Sequence, residues 1–189
     1  GAIFKRAKFQ IVDVLPDGIT DWARGWDCGG GEASRNQKKD PDYTSGTKIG
    51  RHGHAFYITS VIRGQWSPLD VDRIIRQTAQ TDGWQCPIVE EREPGSAGIA
   101  ITTLRQQALA GYDYKAEPAT GEKTLRWQPY ANQVEAENVF LLKGDWNRAF
   151  LDEHEIAPNG AHDDIIDSTT IAFMRLALGR AAGDYGLTV

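Results

Sequence analysis

The sequence predicts an α/β fold in which a mixed central sheet, an antiparallel meander plus parallel strands, is flanked by helices. Two strand patterns joined by a short glycine-containing turn at residues 50–53 indicate the meander. A strand, helix and strand in succession between residues 54 and 91 indicate a parallel, largely buried strand. Apolar periodicity from residue 163 to 178 indicates a helix that closes the fold.

Length and composition indicate a single domain. The chain has 189 residues, of which 40% are hydrophobic and 10% aromatic, enough to bury a sizeable core. We expect the domain to occupy residues 1–178 and residues 179–189, which show little pattern, to form a C-terminal tail. No apolar run approaches the ~20 residues of a membrane span, so a soluble protein is expected.

Charge and cysteine content limit the function classes. The net charge of -5 argues against a surface coated in basic residues for tight nucleic-acid binding, although a local basic patch is compatible with it. Cys28 and Cys86 lack the spacing of metal ligands or of a disulfide framework, which favours a reducing compartment. The sequence also lacks the glycine-rich motifs of the common nucleotide-binding loops.

The first part of the chain is predicted to form strands joined by turns and one long polar loop. The strand patterns are at residues 3–6, 9–12, 21–28, 43–50 and 54–63. The loop, residues 29–42, is of the length at which loops are often functional. Asp27 stands at the end of its strand, and because Asp is disfavoured within strands it is either a turn cap or a functional carboxylate.

The rest of the chain alternates helices with short strands. Ser67 and Pro68 fit the N-cap and first position of a helix that extends to about Thr81. The later elements are expected as a strand at residues 86–91, a helix at 99–109, a strand at 112–115, a helix entered through Pro129 and ending near 137, a strand at 139–142 and a helix at 146–155.

Acidic residues end the buried strand at residues 86–91. Its period of two places Glu91 and Glu93 on one face and Glu90 on the other. Carboxylates before a glycine-rich turn at such a strand end lie in the crevice where open α/β sheets place ligands. The alternative is a solvated strand end at which Arg92 pairs with a glutamate.

The last helix begins with three carboxylates, Asp163, Asp164 and Asp167. At 100° per residue, Asp163 lies about 40° from the edge of the apolar arc and Asp164 almost opposite its centre, so Asp163 should face the buried side. If Asp163 is instead the non-helical cap, Asp164 can turn inward. The helix dipole accounts for one or two such residues, but three repel each other unless a cation or a proton lies between them.

Asp27, Glu91 and Asp163 are far apart in sequence, yet two strand ends and a helix start can bring them together. Oxygen ligands suit hard cations such as Mg²⁺. Two ions roughly 4 Å apart activate a water and stabilise the leaving oxygen of a phosphodiester. This chemistry needs no serine or cysteine nucleophile, and none is evident.

Six motifs occur in order along the chain: IFKR at residues 3–6, RGWD at 24–27, DPDYTSG at 40–46, RGQWSP at 63–68, EREPGSAG at 91–98 and PNGAHDDIID at 158–167. Together they resemble the C-terminal nuclease domain of the large terminase subunit of tailed bacteriophages, which has a ribonuclease-H-like fold. The resemblance extends from Ile3 to about Leu178.

The resemblance implies the roles of the acidic residues. Asp27 matches the first catalytic acid, Glu91 the second and Asp163 the third, with Asp164 or Asp167 completing the shell of two Mg²⁺ or Mn²⁺ ions. Glu93 remains an alternative to Glu91, and Asp164 an alternative to Asp163. His162 is either a proton donor to the leaving group or, more in keeping with a histidine beside carboxylates, an orienting partner.

The resemblance also implies the substrate and partners. The expected activity is cleavage of double-stranded concatemeric viral DNA, with little sequence specificity, during genome packaging in the host cytoplasm. The protein would not be a stable part of the mature virion or of a membrane. The family's ATPase motor is absent from this chain, which is therefore expected to be a nuclease domain or fragment that works with that motor, the small terminase subunit and the portal protein.

Several basic residues are candidates for holding DNA phosphates: Lys38, Lys39, Arg51, Arg92, Lys123 and Arg126. Phosphate contacts give affinity without sequence information. Because the domain is acidic overall, we expect it to bind DNA weakly without partners.

Two other functions remain open from the sequence. A junction resolvase or an RNA–DNA hybrid nuclease would share the acidic cluster and the fold. A non-catalytic docking module of a packaging complex would use the acids as helix caps and the long loop to bind a partner protein.

Overall fold

The computed structural model describes residues 1–29 and 40–178. The predicted tail at 179–189 and the candidate DNA-binding residues Lys38 and Lys39 lie outside the described residues. No helix in the described part of the chain combines the length and apolar character needed to cross a membrane.

The described residues form one seven-stranded sheet and five α-helices, preceded by a 3-10 turn at Arg6–Lys8. The strands are β1 (Gln10–Val12), β2 (Asp21–Asp27), β3 (Thr44–His52), β4 (Ala55–Gly64), β5 (Ile88–Arg92), β6 (Tyr114–Pro118) and β7 (Val139–Leu142). The helices are α1 (Pro68–Asp82), α2 (Ser96–Ala108), α3 (Lys123–Glu135), α4 (Asn147–Ile156) and α5 (Asp164–Leu178).

The sheet is mixed, as the sequence predicts. Its strand order is β1-β7-β4-β3-β2-β5-β6. Strands β2, β3 and β4 form the antiparallel meander, whereas β5 is parallel to β2 and to β6, and β7 is parallel to β1 and to β4. Because β2 and β5 run side by side in the same direction, their carboxyl ends lie at the same edge of the sheet.

Strand β2 is covered on both faces. Ala23 belongs to the core cluster under helices α3, α4 and α5, whereas Trp26 packs with Val71 and Ile75 of α1. Successive side chains of a strand point to opposite faces, so these two residues mark opposite sides of the sheet. Gly25 and Asp27 therefore share the α5 face with Ala23.

Hydroxyl groups fasten α5 to the sheet. The Ser168 hydroxyl lies 2.9 Å from the Ser45 hydroxyl and 2.8 Å from that of Thr47, and the Thr169 hydroxyl donates to Thr47 over 3.2 Å. All four side chains are buried. These hydrogen bonds fix the position of α5 along β3, because a shift of the helix would leave buried hydroxyls without partners and would destabilise the fold.

Several predicted boundaries are wrong. Residues 3–6 are not a strand; Phe4 is instead buried in the core. Helix α2 begins at Ser96, three residues earlier than expected, and β6 lies two residues later. Helix α3 begins at Lys123 and contains Pro129 within it. A proline costs a helix one hydrogen bond, but the apolar face of α3, which includes the buried Trp127 and Tyr130, holds the helix in place.

Candidate active site

The predicted acidic residues line one cavity of about 250 Å³ at the carboxyl ends of β2 and β5. The carboxylates that line it are Asp27, Asp42, Glu91, Glu93, Asp163, Asp164 and Asp167, and Lys123 and His162 also contribute. The structure therefore brings together every predicted metal ligand. Glu91 and Glu93 both reach the cavity, so both remain candidates for the second acid.

Asp27 and Glu91 are placed by the strand register. Trp26 pairs with Glu90 between the parallel strands β2 and β5, so the following residues, Asp27 and Glu91, lie beside each other at the sheet edge. The Gly29 amide donates to Asp27 Oδ1 over 3.0 Å. Glu90 points to the other face, as period two requires, and is buried.

Burial and the neighbouring carboxylates both act on Asp27. Burial, then the charge of Asp167, and to a smaller extent those of Asp164 and Glu91, raise the pKa of Asp27 well above its usual range, against the opposing effect of the Gly29 amide. Burial and the neighbouring Asp163 also raise the pKa of Asp164, to about 6. The cluster therefore favours a bound cation or a shared proton.

The prediction that Asp163 faces the buried side and Asp164 points away is wrong. The side chain of Asp163 is 38% exposed, whereas those of Asp164 and Asp167 are 7% and 5% exposed. Asp163 precedes the helix, and its carbonyl accepts the Asp167 amide over 2.9 Å. Residues 164–170 are buried on every side. A helical wheel with one buried face does not apply there, and the alternative with Asp163 as the cap is the observed one.

Helix α3 supplies polar donors to the acidic cluster. Lys123 Nζ lies 2.9 Å from both carboxylate oxygens of Asp163 and 2.8 Å from Asp167 Oδ2. Trp127 Nε1 donates to Asp167 Oδ1 over 2.7 Å, and Arg126 Nη1 to Glu91 Oε2 over 2.8 Å. Burial lowers the pKa of the Lys123 ammonium, but Asp167 and Asp163 raise it by more, so the net pKa is raised.

The candidate DNA-binding residues are therefore in different environments. Lys123 and Arg126 face carboxylates at the site. Arg92 makes no ion pair with another described residue. Arg51 pairs in register with Asp21 at the start of β2, about 20 Å along the strand from Asp27, so it lies at the opposite end of the sheet.

His162 is held at the rim of the site. Its Nε2 lies 2.7 Å from Asp40 Oδ2, and its ring meets the Tyr43 ring edge-on at 5.0 Å. Its Nδ1 is 3.8 Å from Asp164 Oδ2, beyond hydrogen-bond distance. These contacts suit a residue that orients the segment around Asp164, which is the second of the two roles expected for His162.

Glu153 shapes the site from α4, although no pattern in the sequence singles it out. Its Oε2 accepts the Ile166 amide at the start of α5 over 2.9 Å, so it caps that helix from outside. Burial raises the pKa of Glu153 to about 7. A glutamate in the middle of a polar helical pattern has no local feature that predicts this contact.

The carboxylates are chemically suited to a hard divalent cation, but their present positions do not form a coordination site. Among residues 1–29 and 40–178, no three Asp, Glu, His or Cys side chains are arranged to hold one ion as they stand. Lys123 occupies the space between Asp163 and Asp167. Asp164 Oδ2 is buried and has no hydrogen-bond partner among the residues that the structure describes. An oxygen-rich set with an unpartnered buried oxygen is the donor set that Mg²⁺ and Mn²⁺ accept.

Comparison with known proteins identifies relatives of the fold. Residues 24–176 match the family described as the terminase RNaseH-like domain. The large terminase nuclease of thermophilic phage G20c superposes with a TM-score of 0.65 at 15% identity, covering 92% of this chain and 98% of that one. The Thermus phage P74-26 large terminase nuclease domain superposes with a TM-score of 0.63 at 15% identity, covering 93% of this chain and 95% of that one. Comparison with curated proteins gives no match.

Two further comparisons concern metals and the larger enzyme. The structure of the G20c nuclease with bound zinc superposes with a TM-score of 0.66 at 16% identity, covering 92% of this chain and 98% of the phage chain. The structure with bound magnesium superposes with a TM-score of 0.64 at 15% identity, covering 92% of this chain and 97% of the phage chain. The large terminase of another thermophilic bacteriophage, in complex with ADP, superposes with a TM-score of 0.57 at 12% identity, covering 81% of this chain but 35% of that one. The chain thus corresponds to about a third of that larger protein.

Proposed function

The chain belongs to the terminase RNaseH-like domain family, and we propose that it is a metal-dependent endonuclease that cleaves double-stranded concatemeric viral DNA, with little sequence specificity, during genome packaging. The observation that carries this proposal is the convergence of carboxylates from β2, β5 and the start of α5 in one cavity. The nuclease domain would comprise residues 1–178, followed by the tail.

We assign the acidic residues as ligands of two Mg²⁺ or Mn²⁺ ions. Asp27, Glu91 and Asp163 are the proposed catalytic acids, and Asp164 and Asp167 complete the set. When bound, such ions would supply an activated water and neutralise charge on the cleaved phosphodiester. The burial of Asp164 and Asp167, beside an Asp27 whose pKa is raised, favours this assignment because a divalent ion relieves the repulsion among them.

The surrounding residues hold these carboxylates in place. Trp127 fixes Asp167 through its indole donor, and Glu153 fixes the start of α5 by accepting the Ile166 amide. His162 is tied to Asp40 and steadies the segment before α5. A rigid set of ligands reduces the cost of ordering the site when ions and substrate bind.

The charge of the domain bears on its partners. With a net charge of -5 and an acidic cavity, the domain alone should have low affinity for DNA phosphates. Arg92, Lys38 and Lys39 are the proposed phosphate contacts, and Lys123 and Arg126 could join them if they left their carboxylates. We therefore propose that an ATPase domain, a small terminase subunit and the portal protein concentrate the nuclease on DNA in the host cytoplasm.

Nuclease assays with purified protein test the proposal. We expect Mn²⁺ or Mg²⁺ to support cleavage of linear duplex DNA, EDTA to abolish it, and Asp27→Asn and Asp167→Asn to remove it. Asp145→Asn changes the same charge at an exposed surface position and should cleave normally. Strict preference for a four-way junction or an RNA–DNA hybrid would instead support the resolvase or hybrid-nuclease alternative.

A thermal-shift titration separates an enzyme from a docking module. An ion that binds only the native state raises the melting temperature by mass action. We expect Mn²⁺ to raise the melting temperature of the wild-type protein and of Asp145→Asn, but not that of Asp27→Asn. A docking module would show no response to Mn²⁺ in any of the three proteins.

A further inference from the structure

Lys123 occupies the position of a cation within the acidic cluster. Its ammonium is within 2.9 Å of three carboxylate oxygens, both of Asp163 and one of Asp167. These two residues are also proposed ion ligands. A lysine ammonium is a compact point charge on a flexible stem, so it can satisfy several oxygens much as a small metal ion does.

The lysine is the movable member of this group. Its side chain is 42% exposed. Lys123 is the first residue of α3 and lies two residues after Gly121, which has a φ of +74°. Asp167, in contrast, is buried and held by Trp127, and α5 is held by Glu153 and by the hydroxyl contacts of Ser168. An ammonium on an exposed flexible stem can leave at lower cost than the buried carboxylates can rearrange.

The lysine leaves part of the cluster unsatisfied. Asp164 Oδ2 is buried, and Asp164 lines the same cavity; within the described part of the chain this oxygen has no hydrogen-bond partner. The cluster therefore retains affinity for a further positive charge even while Lys123 is in place.

We propose that Lys123 is a built-in competitor of the divalent ion. In the metal-free protein its ammonium holds Asp163 and Asp167 together, and it withdraws when an ion takes their oxygens. The inference rests on the proposed function, since it requires those residues to be ion ligands. Because the ion and the ammonium compete for the same oxygens, whatever favours withdrawal of Lys123 strengthens ion binding. Lys123 thus sets the ion concentration at which the site fills.

Calorimetric titration of metal-free protein with MnCl₂ tests the proposal. We expect Lys123→Met to bind Mn²⁺ at least about tenfold more tightly than the wild type, a difference of about 1.4 kcal/mol. Lys123→Arg keeps the competing charge and should stay near the wild type. Lys143→Met, which removes a 75%-exposed lysine ion-paired with Asp13 and not among the residues lining the cavity, controls for the change in net charge.

The outcomes distinguish this inference from the proposed function. Equal Mn²⁺ affinity in Lys123→Met and the wild type, or weaker affinity in Lys123→Met, overturns the competitor role while leaving the metal site standing. Absence of Mn²⁺ binding in every variant overturns the proposed function, and the competitor role with it. A tenfold gain shared by Lys143→Met would show a general charge effect and also overturn the inference.

A second measurement uses the wild-type protein, so it does not depend on the folding of Lys123→Met. Acetylation by an N-hydroxysuccinimide ester, followed residue by residue by mass spectrometry, reports how accessible each lysine is. We expect the rate at Lys123 to rise when MnCl₂ is added, while the rate at Lys143 stays constant. A Lys123 rate that Mn²⁺ leaves unchanged or lowers contradicts withdrawal of the ammonium.

Discussion

Gly25 of β2 lies directly against the backbone of Ser168 in α5. A methyl group at Gly25 would overlap the Ser168 carbonyl oxygen and lie 2.6 Å from the Ala172 amide nitrogen. Helix α5 therefore rests on bare strand backbone. Because Gly25 and Asp27 are two residues apart on one strand face, this contact also sets how closely the start of α5 approaches Asp27.

Gly25→Ala should separate α5 from β2. The added methyl group would have to displace backbone atoms. We therefore expect the free energy of unfolding to fall by about 1–3 kcal/mol, the usual cost of overpacking a core. We also expect weaker Mn²⁺ binding, because Asp164 and Asp167 move with the helix. Urea unfolding and Mn²⁺ titration measure the two effects.

Gly53→Ala is the comparison for that variant. Gly53 has a φ of +61° and open space around its Cβ position, so alanine there strains the hairpin by about 1–2 kcal/mol without touching the site. Its Mn²⁺ affinity should match that of the wild type. Normal Mn²⁺ affinity in Gly25→Ala as well would show that the contact does not position the ligands.

Asp27→Asn should stabilise the metal-free protein while abolishing Mn²⁺ binding. The substitution removes a half-buried charge that is repelled by Asp167, Asp164 and Glu91, and an asparagine oxygen can still accept the Gly29 amide. We expect a gain of the order of 1 kcal/mol in the free energy of unfolding in EDTA at about pH 7.5. A loss of stability in EDTA would show that the carboxylate is structural rather than crowded.

Arg105→Met should strongly destabilise the fold. Arg105 and Glu90 form a buried ion pair, and Glu90 also accepts the Tyr114 hydroxyl over 2.7 Å. Removing the arginine leaves a buried, unpaired carboxylate, which costs about 3–5 kcal/mol. Arg73→Met breaks an exposed pair with Asp70 and should cost no more than about 1 kcal/mol. Similar urea midpoints for the two variants would contradict the difference.

His154 should make the protein sensitive to acid. Its Nδ1 donates to the Phe150 carbonyl over 2.7 Å, and its Nε2 accepts the Tyr130 hydroxyl over 2.9 Å, so the buried ring is neutral. Burial lowers the pKa of His154 from 6.5 to about 3. Between these values the unfolded chain binds a proton that the folded protein does not, so stability falls as the pH falls from 6.5 toward 3.

The expected contribution of His154 is about 1.4 kcal/mol per pH unit in that range. His154→Gln removes the titrating ring, and the difference in unfolding free energy between the wild type and this variant should shrink by that slope from about pH 6.5 to about 4.5. Glu153, whose pKa is raised to about 7, titrates in both proteins and cancels in the difference. A pH-independent difference would show that His154 is not held neutral by burial.

The sequence alone predicted the elements that carry the site. Alternation along residues 21–28 predicted a strand ending in Asp27, and the order of elements predicted that the strand with Glu91 runs parallel in the sheet. Both inferences succeed because strand alternation and the return of the chain through a helix between two strands are local properties of the chain. They are sufficient to bring Asp27 and Glu91 to one sheet edge.

The positions of Asp163, Asp164, Lys123 and Glu153 were decided only by the tertiary structure. A helical wheel assumes one buried face, but the start of α5 is enclosed by β2, β3, α3 and α4, so which carboxylate points inward depends on neighbours distant in sequence. Lys123 looked like a surface phosphate contact, yet it meets Asp163 from 40 residues away. The direction of a polar side chain at a helix end depends on the neighbouring charges, and these come from segments that are brought together only when the chain folds.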